Sequence, residues 1–303
     1  MSTVAIILLI LLLLLVILSF VFAYIITHGL RMTLDVSWNW QQENVPGTRR
    51  FKREQFTDYT VKGPKGEDIH VSFIPAREQS EKYVILAHGY TDTRFGMVKY
   101  LPQYYDLGFN CIMYDERGHG ESTPEPCSYG IREVDFLLAV LKDSLSRYGE
   151  NIKIGLHGES LGGAIVLISL KDPLVKEKVS FVVDDCGFAD IITVLKIAMK
   201  QRFMPKWLVY PASFAATVMY GISFVKARPI DYVKGNRIPL LCMHGAQDDF
   251  IVPEHGKRVF EATGGIRELH LIEGAGHAQS AVVAPDKYGE ILKDFLIKAG
   301  IEV

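Results

Sequence analysis

A chain of 303 residues with 49% apolar composition has enough material for one large buried core and a further element. Its 33 basic and 35 acidic residues leave a formal net charge of −2, which excludes binding to nucleic acid through bulk positive charge, and no nucleic-acid partner is expected. The 4 cysteines show no C-x-x-C or metal-like spacing, so they give no support to a cysteine-based metal site.

The further element comes first. From Val4 to Thr27 no charged residue occurs. As a helix this run is about 36 Å long, enough to cross a hydrocarbon core of about 30 Å. A cleaved signal peptide with a site after Val21-Phe22-Ala23 competes with an uncleaved anchor. The run exceeds the ~7–15 apolar residues of a signal core and has no Lys or Arg before it, so residues 1–30 are read as a membrane anchor. Basic residues follow the run at Arg31, Arg49, Arg50, Lys52 and Arg53. That asymmetry places the rest of the chain on the cytoplasmic side, with an extracytoplasmic body as the alternative. Residues 31–55, polar with Pro46-Gly47, read as a connector.

The body, residues 56–303, alternates strand and helix signals. "FTDYTVKG" and "IHVSFIPA" flank a Gly-Pro-Lys-Gly turn and read as two strands. "YVILAHG", "FNCIMYDE", "IKIGLHGE", "VSFVVDDCG", "IPLLCMHG" and "RELHLIEG" are short apolar runs of the kind that fill strands buried on both faces. Helical stretches over 97–107, 131–148, 161–170, 254–262 and 286–299 lie among them. Strands alternating with helices predict a mostly parallel central sheet covered on both faces. One interval, about 188–237, is too long for a simple crossover and is dense in Phe, Met, Trp and Tyr. It is expected to form a helical cap with an apolar face toward a substrate. Cys111, Cys186 and Cys242 lie in or beside apolar runs and Cys127 lies in a loop, so all four are expected as free thiols, as in a reducing compartment.

The chemistry concentrates at strand ends. "GESLG", residues 158–162, sits between a strand run and a helix run. A sharp turn there demands residues without a Cβ on either side of it, and it presents the Ser160 hydroxyl at the strand end. A serine hydroxyl needs a base within hydrogen-bond reach, and the base needs an orienting carboxylate. Ligands of open parallel sheets bind beyond the carboxyl ends of the strands, where two further candidates fall. Asp248 follows "IPLLCMHG", with Asp249 as the fallback, and His277 follows "RELHLIEG". Asp184 and Asp185, after an earlier strand, are a third option for the carboxylate, with a structural role as the preferred reading. The backbone N–H of Leu161, next to the serine, and that of Tyr90, in the turn after "YVILAHG", are the expected oxyanion donors. His88 reads as a loop-orienting group. No cofactor or metal is expected, because acyl transfer through these groups needs none.

"LAHGY", "MYDERGHGES", "GESLGG", "MHGAQDD" and "GAGH" resemble, in order and spacing, the α/β-hydrolase superfamily, and within it small bacterial serine hydrolases of the monoacylglycerol-lipase-like and serine-aminopeptidase-like group. The resemblance covers residues 56–303. It implies the α/β-hydrolase fold with a helical cap, catalytic Ser160, Asp248 and His277, and an oxyanion hole at Tyr90 and Leu161. Arg117, Gly118, His119 and Gly120 resemble a structural turn of that superfamily. Proline iminopeptidases of the group carry Trp after the nucleophile where this chain has Leu161, which turns the reading from peptides toward esters. The expected function is hydrolysis of acyl or lipid-like carboxylic esters, with a thioesterase, a serine peptidase or a non-catalytic binding protein as alternatives. The expected partners are a small acyl ester and the membrane; the oligomeric state is left open.

Overall fold

The computed structural model describes residues 2–303. All eight apolar runs form strands: β1 (Thr57–Lys62), β2 (Asp68–Ile74), β3 (Lys82–Ala87), β4 (Asn110–Tyr114), β5 (Lys153–Glu159), β6 (Val179–Asp185), β7 (Leu240–Gly245) and β8 (Arg267–Ile272). They make one sheet in the order β1-β2-β4-β3-β5-β6-β7-β8. β1 pairs antiparallel with β2, and β2 antiparallel with β4; every other pairing is parallel. The central runs are continuously apolar because each strand feeds two cores. In β3, Tyr83, Ile85 and Ala87 enter one core, while Val84 and Leu86 enter the other.

The helices, in chain order, are α1 (Thr3–Thr27), α2 (Leu34–Asn44), α3 (Leu101–Asp106), α4 (Val134–Tyr148), α5 (Leu161–Ser169), α6 (Pro173–Lys178), α7 (Ile191–Gln201), α8 (Val209–Tyr220), α9 (Glu254–Ala262), α10 (Ser280–Val283) and α11 (Pro285–Lys298). Side chains of α4 and α5, such as Phe136, Leu137, Val140 and Ile165, fill the first core. Tyr104 of α3 and Tyr288, Leu292 and Phe295 of α11 fill the second. The insertion between β6 and β7 is built from α7 and α8, as the aromatic-dense interval predicts.

The segment read as a connector is folded into the body. Thr33 caps α2 by accepting from the Val36 N–H at 3.3 Å. Trp38 then packs edge-on against Phe95 and Phe56, with ring centroids 5.2 and 5.9 Å away. Phe51 is buried beside Tyr105. The segment was polar enough to resemble a tether, but burying its few aromatics favours a packed state.

α1 is one helix long and apolar enough to cross a membrane. Most of it stands clear of the body with its Leu and Ile side chains exposed. Its last turns do not. Ser19, Ala23 and Thr27 are buried where α1 packs along α8.

Candidate active site

The strand-to-helix turn between β5 and α5 is tight because its glycines let backbones meet. A Cβ on Gly158 would overlap the Gly162 carbonyl, and one on Gly162 would overlap the Ala87 carbonyl of β3. Between them Ser160 adopts φ 54 and ψ −109, outside the regions a side-chain-bearing residue normally occupies. Such a conformation costs about 1–3 kcal/mol and persists only where its surroundings fix it. Here the Ser160 N–H donates to the Asp185 carbonyl at 2.8 Å, locking the turn to β6.

The three residues from separate strand ends converge. His277 Nε2 lies 2.9 Å from Ser160 Oγ, and His277 Nδ1 lies 2.7 Å from Asp248 Oδ2. Asp248 Oδ1 accepts from the N–H groups of Phe250 and Ile251 at 3.0 and 2.9 Å. Burial alone would raise the Asp248 pKa, but hydrogen bonds from His244 and His277 outweigh it and hold this carboxyl at about 2. Asp248 is therefore an acceptor at neutral pH. His277 Nδ1 must be the donor to it, which leaves Nε2 with a free lone pair facing the serine hydroxyl. Asp249 is exposed, and its backbone carbonyl accepts from Gln201. The structure thus brings Asp248, not Asp249, to the histidine. Tyr90 and Leu161 border the space above Ser160, and neither backbone N–H donates to a described group.

The residues read as structural have structural partners. His88 is buried with Nδ1 2.7 Å from the Gly89 carbonyl, and its Nε2 accepts from the Glu116 N–H at 2.9 Å. Asp184 accepts from the Gly187 N–H at 3.1 Å, and Asp185 from the Tyr100 hydroxyl at 2.9 Å. In the turn at Arg117 to Gly120, Arg117 pairs with Glu125 at 3.1 Å and His119 stacks edge-on against Tyr90. All four cysteines are buried and unpaired. Cys186 shares a 4.8 Å neighbourhood with Asp248 and His277. Burial and the nearby Asp185 push its thiol pKa well up, so it is a neutral neighbour.

Sequence reasoning missed a buried ion pair beside the serine. Lys99 Nζ lies 2.5 Å from Glu159, the residue preceding Ser160, and donates to the Ala278 carbonyl at 3.1 Å. It therefore ties the serine turn to the loop that carries His277. The signal available was the Glu within "GESLG", an acidic side chain at the end of an apolar strand.

Ser160 stands between two cavities. One, of about 400 Å³, is apolar and is lined by Leu161, Phe188, Val194, Leu195 and Met199 together with Phe22, Ile25 and Ile26 of α1. The other, of about 250 Å³, is more polar and is lined by Ser37, Trp40 and Gln41 of α2 with Asp92, Lys99 and His277. Gln41 Oε1 is buried there without a partner. A larger groove of about 800 Å³ between α3 and α11 contains none of the three converging residues.

Residues 78–183 match the family model described as serine aminopeptidase, S33. The esterase Pf2001 of Pyrococcus furiosus superposes with a TM-score of 0.66 at 21% identity, over 82% of this chain and 96% of that one. The chain has the α/β-hydrolase fold. An esterase from Thermogutta terrifontis shares the same α/β-hydrolase fold, with a TM-score of 0.57 at 18% identity, covering 81% of this chain and 99% of its own. In sequence, the chain is 27% identical to the Bacillus subtilis protein YqkD over 81% of each chain. It is 22% identical to the Saccharomyces cerevisiae membrane protein YNL320W over 65% of this chain and 64% of that one.

Proposed function

We propose that the protein is a membrane-anchored serine hydrolase that cleaves carboxylic esters through an acyl-enzyme. The observation that carries this reading is the continuous relay from Ser160 Oγ through His277 to a buried, ionised Asp248, at the junction of an apolar and a polar cavity. His277 Nε2 takes the proton as Ser160 Oγ attacks the ester carbonyl. Asp248 holds the ring in that tautomer and stabilises the imidazolium. The Leu161 and Tyr90 N–H groups receive the developing oxyanion, Leu161 at the first turn of α5. His277 then protonates the departing alcohol. A water entering the same place is deprotonated by His277, attacks the acyl carbon and releases the acid from Ser160.

The apolar cavity suits the acyl group, and the polar cavity suits the alcohol. That division favours esters over peptides, whose both sides of the scissile bond are polar. Supporting the membrane assignment are the length and apolarity of α1 and the basic residues that follow it. The same flank favours a cytoplasmic body.

Labelling with a fluorophosphonate probe tests the chemistry directly. The wild-type protein is expected to be labelled at Ser160 and to hydrolyse p-nitrophenyl esters, with Ser160→Ala abolishing both. Full activity in a folded Ser160→Ala protein would refute the assignment.

A further inference from the structure

An anchor that only tethers has no reason to touch the substrate, yet Phe22, Ile25 and Ile26 border the cavity that opens at Ser160. The contact is fixed, not incidental. The hydroxyls of Tyr90 and Tyr129 both donate to the Ile26 carbonyl, at 2.8 and 2.7 Å. The Gly29 N–H donates to Tyr90 Oη at 2.7 Å, and the Cys127 N–H donates to the Thr27 carbonyl at 2.9 Å. These bonds satisfy the end of α1 with body groups.

The depth of the cap follows from helix geometry. Leu15 and Phe22 pack against Met199, Leu208 and Val209 of the cap. Leu15 lies about 18 Å along the axis from Thr27, at 1.5 Å per residue. α1 spans 25 residues, about 37 Å, against a hydrocarbon core of about 30 Å. At most about 7 Å of α1 can therefore project from the core at this end, so the Leu15 contact lies at least about 10 Å inside the leaflet. The cap surface agrees with that placement. Phe203, Trp207 and Phe214 are 99%, 54% and 70% exposed, an apolar surface that hydrocarbon would cover favourably. Lys200, Arg202 and Lys206 are exposed among them, and stems of that length can carry a charge toward an interface.

We infer that the last turns of α1 are a wall of the acyl site, and that the ester cleaved is a long-chain lipid already resident in the leaflet, whose tail enters between α1 and α7 without crossing water. This rests on the serine-hydrolase reading above. It adds that Phe22 and Ile26, within the span, determine chain-length specificity.

The test uses the full chain in vesicles of dialkyl-ether phosphatidylcholine, which offers no ester to cleave. p-Nitrophenyl dodecanoate is dissolved in the same vesicles. Its hydrolysis is expected to follow its mole fraction in the bilayer, falling as ether lipid is added at constant bulk concentration. A rate that follows bulk concentration overturns lateral uptake. Ile26→Trp fills the wall and is expected to lower the dodecanoate-to-butyrate ratio of kcat/KM by about tenfold, the effect of about two methylenes kept out of the cavity. Phe22→Ala opens the wall and should move the optimum toward longer chains, so the inference does not hang on one variant folding. Profiles that both match wild type, in proteins with wild-type unfolding midpoints, overturn the wall. A wild-type chain that cleaves no ester and resists fluorophosphonate instead removes the hydrolase reading itself, and this inference with it.

Discussion

Replacing Asp248 by Asn changes one atom and is expected to remove most of the turnover. The Asp248 Oδ1 position accepts from two backbone N–H groups, Phe250 and Ile251, so the amide oxygen of the Asn is fixed there. The amide NH₂ then occupies the Oδ2 position, 2.7 Å from His277 Nδ1. Two donors cannot face each other, so the imidazole proton moves to Nε2 and points at Ser160 Oγ. The ring is then in the wrong tautomer to accept the serine proton. In a serine protease with this arrangement the same change lowers kcat about 10⁴-fold, which is about 5 kcal/mol of transition-state stabilisation. The expectation here is a loss of that order in kcat for p-nitrophenyl butyrate, with little change in fold because the volume and the two backbone bonds are kept. Asp249→Asn, at an exposed carboxylate, is the control and should stay within about twofold of wild type. A loss below about tenfold for Asp248→Asn, or a larger loss for Asp249→Asn, would refute the tautomer argument.

Three further outcomes are expected. His277→Ala should lower kcat about as far as loss of the nucleophile, roughly 10⁶-fold, and a double variant with Ser160→Ala should be no worse, since the two act as a unit. Gly162→Ala places a Cβ against the Ala87 carbonyl and should lower the denaturant-unfolding free energy by about 1–3 kcal/mol or more; an unchanged midpoint would contradict the close approach. Burial raises the folded-state pKa of Asp184 to about 7 and of Asp185 to about 6, so between about pH 4 and 7 the native state binds more protons than the unfolded chain and stability from these groups falls as pH rises. Asp248, held at about 2, works the other way, contributing stability that is lost as pH drops from about 4 to 2. Asp184→Asn should flatten the slope of unfolding free energy between about pH 4 and 7, and a slope unchanged from wild type would show that Asp184 is not its source.

Much of the fold was legible because parallel strands buried on both faces leave a strong local mark. Val84, Ile85 and Leu86 are apolar in succession since each faces one core or the other, and no helix face demands that pattern. The position of Ser160 was equally legible, because the glycines around it answer to contacts with Gly162 and Ala87 that any such turn must make. The choice between Asp248 and Asp249 was not forced by spacing. It depends on which carboxylate the N–H groups of Phe250 and Ile251 capture, a detail of the turn. The packing of α2 was hidden for another reason. Its sequence, "LDVSWNWQQEN", has no apolar stripe, and what holds it is Trp38 meeting Phe56 and Phe95 from two other elements. The Lys99–Glu159 pair was hidden because nothing in sequence distinguishes a buried lysine from an exposed one.

Tyr90 joins two things usually kept separate. Its backbone lies at the expected oxyanion position, while its hydroxyl grips Ile26 and Gly29 at the foot of α1. A tether is a modular part: another apolar helix of similar length serves as well. Here the foot of the helix is gripped by Tyr90 and Tyr129, and three of its side chains line the apolar cavity at Ser160. Transplanting a foreign span at this junction would therefore behave as a set of active-site substitutions. On the inferred role of Phe22 and Ile26, the helix and the body are exchangeable only together.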